Sequence, residues 1–204
     1  LRHREKPKGW FRLPQFLVPF FMHASHTAFS FLDRPDYFEK WSPSARAHRR
    51  KVLKDREKWV IEIVKISTWK EYLDSYRNTQ VPDPYKEYLI HWCEEMIVPE
   101  IHSNLRIYLA YVDWLALAGS IFIDEGVTSE YFTSFYHQNG KKYQLGIAII
   151  DQWFHDSYEQ GIKYCDLDHM NDGFPYYGTK GYTTFKKSIA DVDVFFRDIW
   201  IQIF

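Results

Sequence analysis

Residues 105–126 read LRIYLAYVDWLALAGSIFIDEG, two apolar stretches joined at Asp113-Trp114. Apolar residues dominate both stretches and a short break separates them, which predicts the two strands of a β-hairpin. Residues 128–140 (TSEYFTSFYHQNG) predict a third strand followed by a loop. Because consecutive strands joined by short turns pair antiparallel, we expect these three strands to be neighbours in one sheet.

Residues 141–161 (KKYQLGIAIIDQWFHDSYEQG) have the apolar periodicity of a long helix, and Gly161 is suited to end it. Residues 162–168 (IKYCDLD) predict another strand. A strand–helix–strand crossover brings its two strands parallel, so we expect a mixed sheet with helices on its faces. Residues 182–189 predict a short helical or irregular piece, and residues 193–204 predict a last strand.

The part of the chain before the hairpin predicts helices around one strand. Residues 42–59 predict a helix capped by Ser42 with Pro43 in its first turn, and residues 59–67 predict a strand. Residues 68–79 predict a helix that starts with a capping box, and residues 85–101 predict a further helix. The box would pair Thr68 with Glu71, and Trp69, Tyr72, Leu73 and Tyr76 would share the apolar face of that helix.

Composition indicates a folded chain and leaves the class of function open. The 204 residues are 46% hydrophobic and 19% aromatic, which is not the composition of a disordered protein. The net charge of −1 gives no indication of nucleic acid or membrane binding. Two cysteines, Cys93 and Cys165, are too few for a disulfide framework, so we expect both to be reduced core residues. These features favour a cytoplasmic protein.

Residues 13–32 carry no formal charge and raise the question of a membrane span or a signal peptide. Pro14 and Pro19 interrupt the run and several polar residues dilute it, so we expect extended structure and no transmembrane segment. A processed or membrane-attached terminus is the alternative. We divide the chain into an N-terminal segment, residues 1–38, and a domain, residues 39–204.

Four stretches, in this order and spacing, resemble the C-terminal half of FemAB-type transferases of the GNAT superfamily. They are YFEKWSPSARAHRRKVLK (37–54), LALAGSIFI (115–123), GIKYCDLDHM (161–170) and GYTTFKK (181–187). The resemblance implies an α/β (α+β) chain with a GNAT-like mixed, mostly antiparallel sheet and helices on both faces. It also implies transfer of an acyl or aminoacyl group, from acyl-CoA or aminoacyl-tRNA, to an amine. The segment 1–38 would then be the tail of a preceding GNAT-like half.

The start of the predicted helix at 141 is the candidate donor site. In GNAT enzymes a glycine-containing loop and a helix N-terminus hold the pyrophosphate of acyl-CoA. The matching residues here are Lys141, Gln144 and Gly146, with Gln144 in place of a glycine. That replacement suits relatives that use aminoacyl-tRNA instead of acyl-CoA. The alternative is a pair of surface lysines before a helix with a packing glycine.

Basic residues supply the other candidate contacts with phosphate or carboxylate. Arg46, Arg49 and Arg50 share a helical face that suits a phosphate-bearing substrate. The alternative is that they form only the solvent-exposed basic face of the helix. The resemblance places the functional lysine of the family at Lys186, which would stabilise the negative charge that develops in acyl transfer. Tyr182 and Phe185 would contact substrate beside it.

Polar residues at the end of the strand 162–168 complete the candidate site. His137, Asp166, Asp168 and His169 should lie where two strands of the sheet splay apart. Asp168 or His169 would accept the proton of the attacking amine, with Asp166 and His137 contacting substrate. The alternative is a polar cluster that only orders a loop. The spacing matches no metal motif, so we expect no metal. The rival functional hypothesis is a non-catalytic module that binds a peptide, lipid or nucleic acid.

Overall fold

The computed structural model describes residues 10–12, 26–58, 60–78, 86–87, 90–91, 94, 104–170, 179–195 and 200–202. In these ranges the strands are β1 (Trp10–Arg12), β2 (His26–Phe31), β3 (Glu62–Ile66), β4 (Leu105–Val112), β5 (Leu115–Glu125), β6 (Thr128–Tyr136), β7 (Tyr164–His169), β8 (Val192–Phe195) and β9 (Trp200–Gln202). The α-helices are α1 (Pro43–Glu57), α2 (Trp69–Arg77), α3 (Leu145–Glu159) and α4 (Thr179–Lys187). Short 3-10 helices cover Tyr37–Lys40 and Gln138–Tyr143.

Seven of these strands form one sheet in the order β3-β4-β5-β6-β7-β2-β8. Strands β3 to β6 pair antiparallel with their neighbours, and β6 pairs parallel with β7 across the α3 crossover. The predicted hairpin is confirmed, and its turn residues Asp113 and Trp114 both have positive φ. The mixed, mostly antiparallel sheet and the parallel crossover are therefore as the sequence predicts.

The two ends of the chain enter the sheets in a way that local sequence does not predict. β2 lies between β7 and β8, so the sheet includes part of the segment 1–38. The boundary between residues 38 and 39 stays a prediction. The single last strand predicted over residues 193–204 is wrong, because β8 pairs with β2 while β9 pairs with β1 in a separate two-stranded sheet. Arg197 and Asp198 separate the two apolar stretches in the sequence.

The helix starts test the capping predictions. Ser42 caps α1, and its Oγ accepts a hydrogen bond from the N–H of Ala45 with Pro43 in the first turn, as predicted. The capping box of α2 is wrong, because the Thr68 side chain makes no cap hydrogen bond. Glu71 instead accepts a hydrogen bond from the hydroxyl of Tyr111 on β4. The predicted apolar face of α2 is confirmed, since Tyr72, Leu73 and Tyr76 are buried.

Most of the helix predicted over residues 85–101, including Cys93, lies outside the described residues. Residues 86–87, 90–91 and 94 are described, and they are helical. Cys165 is a buried free thiol on β7, as expected. Burial also raises the pKa of this thiol.

Helix α3 packs along the sheet and fixes the position of its own N-terminus. Trp153 is fully buried and stacks on Phe122 of β5, with ring centroids 4.1 Å apart. A buried arginine strengthens this contact: Nη2 of Arg106 on β4 donates to the hydroxyls of Ser129 and Ser157, at 2.9 and 2.7 Å. Arg106 also pairs with Asp124 at 2.6 Å, so its buried charge is compensated.

Candidate active site

The strands β6 and β7 separate near the middle of the sheet. They pair at Thr128–Tyr164, Ser129–Cys165 and Glu130–Asp166, and no later residue of β6 pairs with β7. Beyond that point β6 runs on to Tyr136, while β7 pairs with β2 on its other side. The predicted opening between these two strands is therefore present, and residues 131–136 border it.

A β-bulge lies on each side of this opening. In β6, Tyr131 and Thr133 pair with consecutive residues of β5, so Phe132 is the extra residue. In β7, His169 and Asp166 pair with Thr27 and Phe29 of β2, which leaves one extra residue in β7. Asp168 in this second bulge has φ +60, a conformation that aspartate tolerates better than most residues. Bulges re-aim side chains, and they are frequent beside active sites.

A cleft of about 910 Å³ runs beside this free part of β6. Its walls come from β5, β6 and the N-terminal halves of α1 and α3, with α4 on the remaining side. The lining includes five of the residues singled out in the sequence: Lys141, Gln144, Gly146, Tyr182 and Phe185. The two predicted site segments at 141–146 and 182–185 therefore face one cavity, although they are far apart in sequence.

The entrance to α3 differs from a flexible glycine loop. Residues 138–143 form a 3-10 helix, and Gln144 follows it with φ +58. The Nε2 of Gln144 donates to the carbonyl of Lys141 at 3.1 Å, which holds the turn closed. The first N–H groups of any helix lack intrahelical partners and favour an anion. Gly146 lines the cleft at this point, and a Cβ there would be in ordinary van der Waals contact with the ring of Phe185, at 3.6 Å.

Lys186 is almost fully buried at 1% exposure. Its Nζ lies 4.0 Å from the ring centroid of Tyr182 and 5.2 Å from that of Tyr131, two residues that line the cleft. The same Nζ lies 4.0 Å from Oδ2 of Asp168. Burial lowers the pKa of Lys186 to about 8, although the charges of Asp168, Asp166 and Glu130 act in the opposite direction. The lysine therefore lies between the aromatic wall of the cleft and the carboxylate of Asp168.

The carboxylates beside Lys186 are ordered by hydrogen bonds. Oδ1 of Asp166 accepts from the hydroxyl of Thr27 at 2.5 Å and from the backbone N–H of Asp168 at 2.8 Å. Burial, together with the neighbouring Asp168 and Asp166, raises the pKa of Glu130. These acids are concentrated on the β6–β7 split, and Lys186 is the cation among them.

Other predicted residues lie elsewhere. Arg49 pairs with Asp151 of α3 at 2.6 Å and stacks on the ring of Phe38 at 3.7 Å. Arg46 is half-buried and Arg50 is exposed, and neither is among the described residues that line the cleft. His48 of the same helix does line it.

His137 and His169 occupy different ends of the opening. Nδ1 of His137 accepts a hydrogen bond from the N–H of Asn139, at the start of the 3-10 helix. It follows Glu130 by seven residues, at roughly 3.3 Å per strand residue, so the structure does not bring it to the aspartates. The backbone of His169 pairs with Thr27 beside them.

The polar groups inside the cleft were not predicted from the sequence. Tyr131 and Ser134 of β6 and Ser120 of β5 line it. Burial raises the pKa of Tyr131, and it raises the pKa of Tyr136 to about 12. Both phenols therefore keep their protons at neutral pH and can donate hydrogen bonds. Aromatic residues in a strand are typical of a core, so only the bulge in β6 distinguishes Tyr131.

A mixed sheet split between a parallel strand pair, with a helix N-terminus at the split, defines a GNAT-like, FemAB-type fold. Comparison with solved structures agrees. A structure of FemX is similar, with a TM-score of 0.63 and 11% identity, over 91% of this chain and 64% of that one. The C-terminal domain of a protein assigned as a lysylphosphatidylglycerol synthetase from Agrobacterium fabrum is also similar. Its TM-score is 0.59 and its sequence identity is 11%, over 96% of this chain and 62% of that one.

A conserved protein of unknown function from Bacteroides thetaiotaomicron is also similar, with a TM-score of 0.57 and 14% identity over 92% of this chain and 61% of that one. The chain thus spans less than two thirds of the length of these structures. No protein-family model matches the sequence, and no curated protein sequence matches it. The likeness shows that the chain shares the fold of these structures.

Two further observations concern ligands and membranes. Among the described residues, no group of three or more His, Cys, Asp or Glu side chains is placed to hold a metal ion. None of the described helices combines the length and the apolar character that crossing a bilayer requires.

Proposed function

We propose that this protein transfers an acyl or aminoacyl group from an activated thioester or ester donor to an amine, with the donor bound in the cleft. The observation that carries the proposal is the position of Lys186. A buried cation touches the wall of a cleft at the split of a GNAT-like sheet, with carboxylates next to it. Acyl transfer develops negative charge on the reacting carbonyl oxygen, and preorganised hydrogen-bond donors or a fixed cation beside it stabilise that charge.

The proposed chemistry uses groups that are close together. The amine nitrogen attacks the donor carbonyl carbon, the carbonyl becomes an oxyanion, and the C–S or C–O bond to the carrier then breaks. The Tyr131 hydroxyl would donate to the oxyanion, and the charge of Lys186, beside the ring of Tyr131, would stabilise it. Asp168, or His169 next to it, would accept the proton that the amine loses, and Asp166 would hold the bulge in place.

The donor would enter where α3 begins. Lys141, Gln144 and Gly146 line the cleft there. Lys141 and its neighbour Lys142 are exposed on the 3-10 helix that leads into α3. Such a surface suits a phosphate-bearing carrier, either CoA or the acceptor end of tRNA. Both carriers are cytoplasmic, and we propose that compartment.

One substitution separates the two carriers. Gln144→Gly would remove the side chain from the position with φ +58 and open the loop to a pyrophosphate. We expect it to tighten acyl-CoA binding, measured by titration calorimetry, if CoA is the carrier. If aminoacyl-tRNA is the carrier, the same variant leaves CoA binding undetectable and tRNA binding unchanged.

Blocking the cleft tests whether it is the donor site. Gly181 of α4 lines the cleft, and a Cβ built there meets no atom within 4 Å. Gly181→Leu would extend into the cleft, whereas Gly181→Ala adds one methyl group and serves as the matched control. Both changes favour the helix, so neither should unfold the protein.

We expect Gly181→Leu to weaken donor binding at least 10-fold more than Gly181→Ala does. Equal affinities in the two variants would place the donor elsewhere. Binding of a peptide, lipid or nucleic acid in the cleft, with no transfer from any donor, would instead identify a non-catalytic binding module.

A further inference from the structure

The tip of the β4–β5 hairpin exposes two large apolar side chains. Trp114 is 90% exposed and Leu115 is 64% exposed. The turn residues have φ +49 at Asp113 and φ +67 at Trp114, where asparagine and glycine are the favoured residues. A bulky residue at positive φ is disfavoured, and an exposed tryptophan gains no burial in return. Folding of this chain therefore does not account for Trp114 at this position.

Basic and aromatic residues lie beside the tip. Leu115 shares a surface hollow of about 560 Å³ with Lys141, Lys142 and Tyr143, and Asp113 is the one acidic residue of its described lining. Nζ of Lys142 lies 4.7 Å from the ring centroid of Tyr143. From α1, Nζ of Lys51 donates to the carbonyl of Lys142 at 2.5 Å. We call the set Trp114, Leu115, Tyr143, Lys51, Lys141 and Lys142 the tip surface.

We propose that the tip surface binds the surface of an anionic phospholipid membrane. Tryptophan and tyrosine favour the boundary between headgroups and acyl chains, since each has an apolar body and a polar hydrogen-bonding group. Leu115 would enter the acyl region next to Trp114. Lysines close to an anionic leaflet add electrostatic attraction, and their long stems let the ammonium groups reach the phosphates.

The apolar component favours a membrane over a nucleic acid. A single-stranded nucleic acid would pair its phosphates with the lysines and stack a base on Trp114. It would make no use of Leu115, which projects from the same turn. A lipid surface uses the tryptophan, the leucine and the lysines together.

The position of the tip surface bears on the proposed reaction. Lys141 lines both the hollow at the tip and the cleft, so the cleft opens beside the proposed membrane contact. If the proposed function holds, the amine acceptor would be a molecule held in the headgroup layer. Membrane binding itself is measured without any donor, so it can be tested separately from transfer.

The test is vesicle flotation with the full chain. The probes are phosphatidylcholine vesicles with and without phosphatidylglycerol, and the variants are Trp114→Ser/Leu115→Ser and Lys51→Gln/Lys142→Gln. The matched control is Val127→Ser, because Val127 is 48% exposed at the next hairpin turn of the sheet. We expect the chain to bind only anionic vesicles. The apolar double variant should lose at least 10-fold in vesicle affinity, and each lysine removed should cost about fivefold in affinity. Val127→Ser should bind like the unmodified chain.

A second readout locates Trp114 itself. The chain has eight tryptophans, and bromine-labelled acyl chains quench those that enter the bilayer. Vesicle quenching of the unmodified chain should exceed that of Trp114→Phe.

Three results would overturn the proposal: no preference for anionic vesicles, unchanged binding in Trp114→Ser/Leu115→Ser, or equal quenching in Trp114→Phe. The unmodified chain could instead bind no vesicles but bind RNA or self-associate. If Trp114→Ser/Leu115→Ser then loses that property, the tip surface binds RNA or a second copy of the chain.

Discussion

At the scale of single residues, Lys186 is buried and still carries at neutral pH the charge that the proposed chemistry uses. Its pKa is lowered to about 8 because the ammonium is desolvated, and Asp168, Asp166 and Glu130 limit the effect. We expect the side-chain carbon signal of Lys186, assigned by comparison with Lys186→Met, to titrate near pH 8 in an NMR experiment. A midpoint close to the ordinary value of 10.5 would show that the ammonium is solvated.

Asp168→Asn gives the direction of the electrostatic effect. Asparagine tolerates positive φ as aspartate does, so the bulge should be kept while the negative charge 4.0 Å from Lys186 is removed. We expect the pKa of Lys186 to fall further in this variant, which the same NMR titration measures. An unchanged or higher pKa would mean that Asp168 does not act on Lys186.

The same pKa shift predicts how stability depends on pH. Between about pH 8 and 10.5 the unfolded chain holds a proton on Lys186 that the folded chain has lost. The free energy of unfolding should therefore rise with pH in this window, by up to about 3 kcal/mol relative to Lys186→Met. Chemical denaturation at several pH values measures this difference, and a constant difference between the two proteins would contradict the lowered pKa.

At the scale of elements, β5 depends on the absence of a side chain at Gly119. A Cβ there would lie 2.5 Å from Phe135 and 2.8 Å from Leu109. Both side chains belong to the hydrophobic core between the sheet and α2. We expect Gly119→Ala to lower the free energy of unfolding by about 1–3 kcal/mol through overpacking. Gly181→Ala is the comparison, since its Cβ meets open space. Equal stabilities of the two variants would mean that Phe135 moves aside at no cost.

The β4–β5 turn should behave in the opposite way. Trp114→Gly removes an exposed side chain from φ +67. We expect this variant to be more stable by about 1 kcal/mol, because relief of the left-handed backbone exceeds the entropy that glycine gains in the unfolded chain. Thermal unfolding measures the change. A clear loss of stability would show that Trp114 has a structural role.

At the scale of the whole molecule, the sheet depends on β2. Ala28 is fully buried, and the Ser30 hydroxyl donates to the carbonyl of Ile189 at 2.8 Å. A chain consisting of residues 33–204 would expose both β7 and β8 along the edges that β2 covers. We expect this chain to lose its cooperative thermal transition. A stable, cooperative domain from residues 33–204 would instead support the boundary predicted near residue 38.

Elements formed by residues close together in the sequence could be predicted, and contacts between residues far apart in the sequence could not. The β4–β5 hairpin and the α3 crossover follow from local periodicity and turn residues. The position of β2 depends on contacts such as Thr27 with Asp166, which are 139 residues apart. The positive φ of Asp168 results from that pairing, so no local signal predicts it. Arg49 has the sequence pattern of a phosphate ligand, but only the fold shows that its guanidinium group forms an ion pair with Asp151.

The most direct measurement is a single-turnover reaction with the donor that binds best and a pool of amines, analysed by mass spectrometry. We predict that the donor carbonyl becomes an amide while free carrier appears in equal amount, and that Lys186→Met slows this step about 100-fold. Donor binding in the cleft without any amide, or an undiminished rate in Lys186→Met, would contradict the account.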